Sequence, residues 1–129
     1  MATLNHTNLT TYDVPGLTEF FCSVFGFEVN HRRGDKLVVL FDSGGFVLTL
    51  MYYRHMTPEL GYPGLFHVGF FQPTRRAVDI LYESLSARNY TAPKPAKLKR
   101  GGPSTYGFYC KAPGGVLVEV STMNVREPA

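Results

Sequence analysis

Three side chains in this sequence, His6, His67 and Glu119, have the types needed to hold a divalent metal ion together. Glu119 draws notice first, because the run Val116-Leu117-Val118-Glu119-Val120 otherwise reads as a buried strand entered from a Pro113-Gly114-Gly115 turn. A carboxylate taken out of water without a partner costs several kcal/mol or takes up a proton, so a strand that keeps one needs a cation or a metal beside it. Two neutral imidazoles and one carboxylate are a donor set that first-row divalent ions accept, with positions left open for water or substrate. Such a set supports oxygen chemistry or Lewis-acid activation of a chelated substrate. Fe, Mn, Zn and Ni all fit it, and the sequence does not choose among them.

An internal repeat relates these residues. LFDSGGFVLTL (40–50) aligns with CKAPGGVLVEV (110–120), so that Gly44-Gly45 fall on Gly114-Gly115 and Thr49 falls on Glu119. LNHTNLTT (4–11) aligns with LFHVGFFQ (65–72), so that His6 falls on His67. Side chains alternate faces along a strand. His6, Asn8 and Thr10 therefore share a face, as do His67, Gly69 and Phe71; so do Val47, Thr49 and Met51, and likewise Leu117, Glu119 and Ser121. Pairing of the two copies about a pseudo-twofold axis is expected to bring His6, His67, Glu119 and Thr49 into one concave site walled by Phe71, Met51 and Leu117. His31 and His55 have no repeat partner and read as ordinary histidines.

The elements that must position this set follow from periodicity. Asp13 is an N-cap before Leu17, Phe20, Phe21, Val24 and Phe25, an apolar helical stripe closed by Gly26. In the second copy Thr74 precedes Ala77, Ile80, Leu81 and Leu85, and Asn89 offers a stop. KLVVLFD turns at Ser43-Gly44-Gly45 into FVLTLMYY, and STYGFYCK turns at Pro113-Gly114-Gly115 into VLVEVST, both hairpin signals. The unit is βαβββ written twice, so the class is α+β, with about eight strands in two modules. The expected boundaries within one domain are residues 1–53 for the first module, 54–64 for a Pro- and Gly-rich linker, and 65–125 for the second module.

Composition bounds the rest. With 129 residues, 44% apolar and 18% charged, the chain is an ordinary globular length with no sign of disorder. Its beginning has neither a basic n-region nor an apolar h-region, and no apolar run reaches the roughly 20 residues that span a bilayer. The expectation is a cytoplasmic protein with no membrane partner, its Cys22 and Cys110 reduced. The net charge of +3 gathers in APKPAKLKRGG (92–102), where Lys97, Lys99 and Arg100 read first as a solvated loop and second as an anion clamp. No finger spacing, basic helix or paired aromatic motif points to nucleic acid.

LNHTNLTTYDVPGLTEFFCSVFGFEV, FHVGFFQPTRRAVDILYESL and FYCKAPGGVLVEVS, which span nearly the whole chain, resemble the vicinal oxygen chelate superfamily. That superfamily includes glyoxalase I, fosfomycin-resistance enzymes, bleomycin-resistance proteins and extradiol dioxygenases. The resemblance implies paired βαβββ modules forming a cupped mixed sheet, usually completed in short chains by a homodimer, with His6, His67 and Glu119 where the family's metal ligands sit. It also implies that Tyr109 lies near the substrate, and the candidates are Tyr109 and Thr49 for catalysis and Asn8, Lys99 and Arg100 for substrate binding. Three departures bear on the reaction. Thr49 occupies the position of the fourth ligand of glyoxalase I, Lys99-Arg100 stand where dioxygenases carry an acid-base histidine, and Asn8 replaces a threonine of the fosfomycin pattern. Together these readings imply a metal-dependent enzyme acting on a small substrate through neighbouring oxygens, dioxygenase-like or a lyase or transferase. The alternative is a dimeric drug- or metabolite-binding protein of the bleomycin-resistance type, without catalysis.

Overall fold

The computed structural model describes residues 1–99 and 102–126. Its elements run β1 (His6–Thr11), α1 (Val14–Phe25), β2 (Glu28–Arg33), β3 (Leu37–Phe41), β4 (Val47–Tyr52), β5 (Val68–Phe71), α2 (Arg75–Ala87), β6 (Ala96–Leu98), β7 (Thr105–Lys111) and β8 (Leu117–Thr122). The order is βαβββ twice, and the class is α+β. The eight strands form two four-stranded sheets, ordered β1-β4-β3-β2 and β5-β8-β7-β6, each with one parallel pair at its first strand. The chain divides into two compact units, Met1–Tyr62 with Pro113–Gly115, and Pro63–Ala112 with the residues from Val116 onward. Among the described residues no helix is long and apolar enough to cross a membrane.

In the first unit the Asp13 carboxylate accepts the Gly16 N–H at 2.9 Å, which starts α1. Gly26, at φ 72°, returns its N–H to Cys22 and ends it, a left-handed cap that glycine adopts without a Cβ penalty. The stripe between these caps buries Val14, Leu17, Phe20, Phe21 and Val24, and the helix packs on β3 and β4, whose Val38, Leu40, Leu48 and Leu50 are also buried. Phe20 and Phe21 meet edge to face at 5.5 Å. Residues after β4 fold back onto this unit: Met56 is buried, and the Tyr62 hydroxyl donates to the Thr10 carbonyl at 2.7 Å.

In the second unit Thr74 accepts the Ala77 N–H at 3.1 Å to start α2. The helix ends at Arg88, followed by Asn89 in the left-handed region at φ 67°. Its buried face runs through Val78 and Leu85, whereas Ile80 is half exposed. The apolar stripe is therefore rotated from Ala77–Ile80 towards Val78, because Tyr82 turns inward to meet the Phe108 ring edge to face at 5.5 Å. The helix covers β7 and β8, where Phe108, Cys110, Val118 and Val120 are buried. The basic stretch read from sequence as a loop carries β6, which pairs antiparallel with β7 and places Leu98 opposite Thr105.

Candidate functional site

Strand alternation decides what the second unit presents. Val118 and Val120 on β8 are turned inward under α2, so Leu117, Glu119 and Ser121 lie on the opposite face of the sheet. Glu119 is flanked in register by Gly69 on β5 and Tyr109 on β7. His67, just before β5, falls in phase with Gly69 and points its Nε2 at Glu119 Oε1, 3.5 Å away. A side chain at position 69 would place its Cβ 3.2 Å from the Glu119 carbonyl oxygen, so glycine there keeps the space beside the carboxylate open.

The hydrogen bonds around this pair fix both groups. His67 Nδ1 lies 3.0 Å from the Leu65 carbonyl. A carbonyl only accepts, so Nδ1–H donates to it, and Nε2 is the ring nitrogen turned to the carboxylate. Tyr109 donates its hydroxyl to Glu119 Oε1, and Ser121 donates to Oε2 at 2.6 Å. The Tyr109 ring stands edge-on to the His67 ring at 5.5 Å. An imidazole nitrogen and a carboxylate oxygen are thus aimed at one another, two of the donor types that a divalent metal ion takes. The Glu119 side chain is 15% exposed and that of His67 40%, so the pair is reached from one side.

That side is a cavity of about 360 Å³, at the lower end of the range usual for small-molecule sites, roughly 300–1,000 Å³. Around His67, Tyr109 and Glu119 the described residues of its wall are Leu65, Phe71, Leu98, Gly102, Pro103, Thr105 and Met123.

The first unit carries His6, Asn8 and Thr49. His6 opens β1, exposed, with Nδ1 2.8 Å from Asn5 Oδ1. Asn8 pairs in register with Thr49, and its amide reaches Met51 Sδ at 2.8 Å. His6, Asn8 and Thr49 therefore lie on one sheet, and His67, Glu119 and Tyr109 on the other. Among the described residues no group of three or more His, Cys, Asp or Glu side chains is gathered closely enough to hold a metal ion. Lys99 is exposed, just past the end of β6, and Leu98 rather than Lys99 lines the cavity. Arg100 lies outside the described residues. Sequence reasoning placed Ser121 on the face of Glu119 without giving it a task. The signal was there, since a hydroxyl two residues from a carboxylate along a strand is its same-face neighbour.

Elsewhere in the second unit burial pushes the Cys110 thiol up to about 11. Tyr106 is also raised, by burial first and then by its hydrogen bond to Asp79, which it makes at 2.6 Å. Both of these groups belong to the packed side of the sheet.

Comparison with known proteins agrees with this architecture. Residues 3–120 match the family model described as Glyoxalase/Bleomycin resistance protein/Dioxygenase superfamily. A structure described as a possible glyoxalase from Bacillus cereus is 34% identical, with 93% of this chain and 98% of that one covered and a TM-score of 0.78. Lactoylglutathione lyase from Agrobacterium tumefaciens (22% identity, 95% and 94% covered, TM-score 0.72) shares the fold. So does the fosfomycin resistance protein FosX from Listeria monocytogenes (16% identity, 95% and 93% covered, TM-score 0.72). A search of curated proteins by sequence found no match. With nearly its whole length matched by the family model, and with two βαβββ modules in its fold, the chain belongs to the glyoxalase/bleomycin resistance protein/dioxygenase superfamily.

Proposed function

We propose that this chain is a metal-dependent enzyme in which His67, Glu119 and His6 hold one divalent ion and a small substrate binds through two neighbouring oxygens. The observation that carries the reading is the His67–Glu119 pair, in which Nδ1–H donates to the Leu65 carbonyl and Nε2 is aimed at Oε1. His6 is offered as third donor because the repeat equates it with His67, and its Nδ1 is likewise occupied, by Asn5 Oδ1. The donor set suits an ion of the Fe, Mn, Zn or Ni kind. Bound there, such an ion would supply Lewis-acid stabilisation of a developing oxyanion.

The chain's own residues have separate tasks in this reading. Ser121 holds Oε2 and so turns Oε1 towards His67. Tyr109 keeps a proton on its hydroxyl beside Oε1, placed to be shared with an oxygen of the substrate. Thr49, the repeat counterpart of Glu119, adds a neutral hydroxyl, and Asn8 beside it an amide for substrate contact. Leu65, Phe71 and Met123 offer apolar surface to the body of the substrate. The reaction class we attach to this site is dioxygenase-like, or a lyase or transferase of the glyoxalase and fosfomycin-resistance type, in a cytoplasmic homodimer.

The test is elemental analysis of protein purified without chelator, then anaerobic titration with Fe(II), Mn(II), Zn(II) and Ni(II). One equivalent per chain is expected, lost in His67→Ala and Glu119→Ala. Retention of full stoichiometry in His6→Ala would remove His6 from the ligand set. No binding of any ion would overturn the proposal and leave a direct His67–Glu119 contact in a metal-free binding protein as the account of the pair. Sedimentation velocity measures the oligomeric state.

A further inference from the structure

We infer that the second unit carries another small-molecule site, apart from the His67–Glu119 pair, which takes an organic anion: an apolar body ending in a carboxylate, its charge held by Lys111. The site is a cavity of about 490 Å³ whose described lining residues are Thr91, Ala92, Pro93, Tyr109, Lys111 and Leu117. Tyr109 also borders the cavity at His67 and Glu119, so the two spaces adjoin. No metal ion is needed for this inference.

Register explains why the chain leaves this space. β6 pairs with β7 through Ala96 opposite Gly107, Lys97 opposite Tyr106 and Leu98 opposite Thr105. Carried back along the chain, the same register would set Pro95 against Phe108 and Pro93 against Cys110. Proline has no N–H to give to a ladder, so a segment with proline at these two positions does not continue the strand along β7. From the packed side of the sheet the Cys110 thiol donates to the Thr91 carbonyl at 3.6 Å. That contact keeps residues 91–93 beside β7 while the ladder stays open, and a gap remains at the other face.

Alternation decides which side chains border the gap. Tyr109 and Lys111 lie two residues apart on β7, opposite Glu119 and Leu117 on β8, so all four share the face turned away from α2. Cross-strand neighbours stand about 5 Å apart at Cβ. The Lys111 stem therefore runs beside Leu117 and carries its ammonium to the rim, as lysines do when they cover apolar surface and keep the head in water. Lys111 is exposed, whereas Tyr109 and Leu117 are half-buried. Ala92, Pro93, Leu117 and the Tyr109 ring make an apolar slot, and Lys111 supplies a cation at its mouth. Slots of roughly 300–1,000 Å³ with apolar walls and a few placed polar groups are the usual form of a small-molecule site. A carboxylate on an apolar body matches this one: the body leaves water, and the charge meets the ammonium at the rim while it stays partly hydrated.

The experiment compares phenylacetate, phenylacetamide and phenethylamine, which share a ring and differ in charge. Each is titrated into the isotopically labelled full chain and followed by NMR, once with Zn(II) and once with chelator in its place. Saturable shifts are expected at the amides of Ala92, Lys111 and Leu117. Phenylacetate is expected to bind about fivefold more tightly than the amide, the worth of one ion pair at a partly open site, and phenethylamine most weakly, in both conditions. Lys111→Met brings phenylacetate down to the level of the amide and leaves the amide unchanged. Lys111→Glu reverses the order in favour of phenethylamine.

Equal affinities for acid and amide in the wild type, or shifts that miss these residues, overturn the inference. So does a preference that survives Lys111→Met. A preference seen with Zn(II) and absent with chelator places the carboxylate on a metal ion, which upholds the metal reading and overturns this one. The same preference in both conditions supports the Lys111 site whether or not the metal reading stands. If Lys111→Glu changes the sedimentation coefficient, this face packs against a second copy of the chain, and the inference falls.

Discussion

Replacing Gly107 by alanine tests how the candidate site depends on the close approach of β7 and β8. Gly107 pairs with Ser121 in the antiparallel ladder. A Cβ at this position would lie 2.1 Å from the Val120 carbonyl oxygen and 2.6 Å from Ser121 Cβ. The nearest obstacle is backbone, so no rotamer change relieves the overlap, and β7 must move away from β8. Inserting a methyl group into a packed interior typically costs about 1–3 kcal/mol, and contact with a ladder carbonyl puts this substitution at the top of that range, about 3 kcal/mol. Gly69→Ala is the internal control: its Cβ would meet the Glu119 carbonyl oxygen at 3.2 Å, an overlap of a few tenths of an ångström, so a loss of under about 1 kcal/mol is expected. Urea denaturation followed by circular dichroism reads both, as shifts of the midpoint at constant slope. The displacement of β7 also separates Tyr109 from Glu119, so the metal-titration curve of Gly107→Ala is expected to weaken even where the protein remains folded. A Gly107→Ala midpoint within error of the wild type, or a loss no larger than that of Gly69→Ala, would refute the steric reasoning.

Two further outcomes follow from single contacts. Asp13→Ala removes the acceptor of the Gly16 N–H and is expected to cost about 1 kcal/mol by urea denaturation, with Asp13→Ser recovering most of it. Alkaline pH should destabilise the second unit. The folded-state thiol of Cys110 is raised from 9.0 to about 11 by burial, so its contribution is complete below pH 9 and is lost as pH rises through 11, amounting to about 3 kcal/mol. Tyr106, raised by burial and by Asp79, adds in the same direction above pH 10. Urea midpoints measured from pH 8 to 11 are expected to fall more steeply in the wild type than in Cys110→Ala, and parallel profiles would contradict the assignment to the thiol.

Much of this protein is legible in its residues because its signals are local. Asp13 and Gly26 mark both ends of α1, and Thr74 and Asn89 bracket α2, since caps and left-handed turns depend on a few consecutive residues. Alternation along β8 puts Glu119 on the face opposite Val118 and Val120 whatever the strand pairs with. The repeat, visible as matched Gly-Gly turns, leads to two βαβββ modules.

Other features needed the folded chain. β6 is three residues in a proline-broken basic stretch, too short for a periodic signal, and exists because β7 offers it an edge. The inward face of α2 turned towards Val78 because the Phe108 ring accepts Tyr82, a contact between residues that no local pattern links. The sequence by itself determined the helices, the repeat and the face of the sheet that bears Glu119. Only the tertiary structure decided that Tyr109 and Ser121 each hold one oxygen of that carboxylate, and that His67 Nδ1–H donates to the Leu65 carbonyl. It also decided that Leu98 on β6, and not its neighbour Lys97, shares the face of Tyr109. The reason is physical: periodicity is a property of one segment, whereas a hydrogen bond to a chosen oxygen depends on the register between strands, set by distant backbone and the packing beneath it.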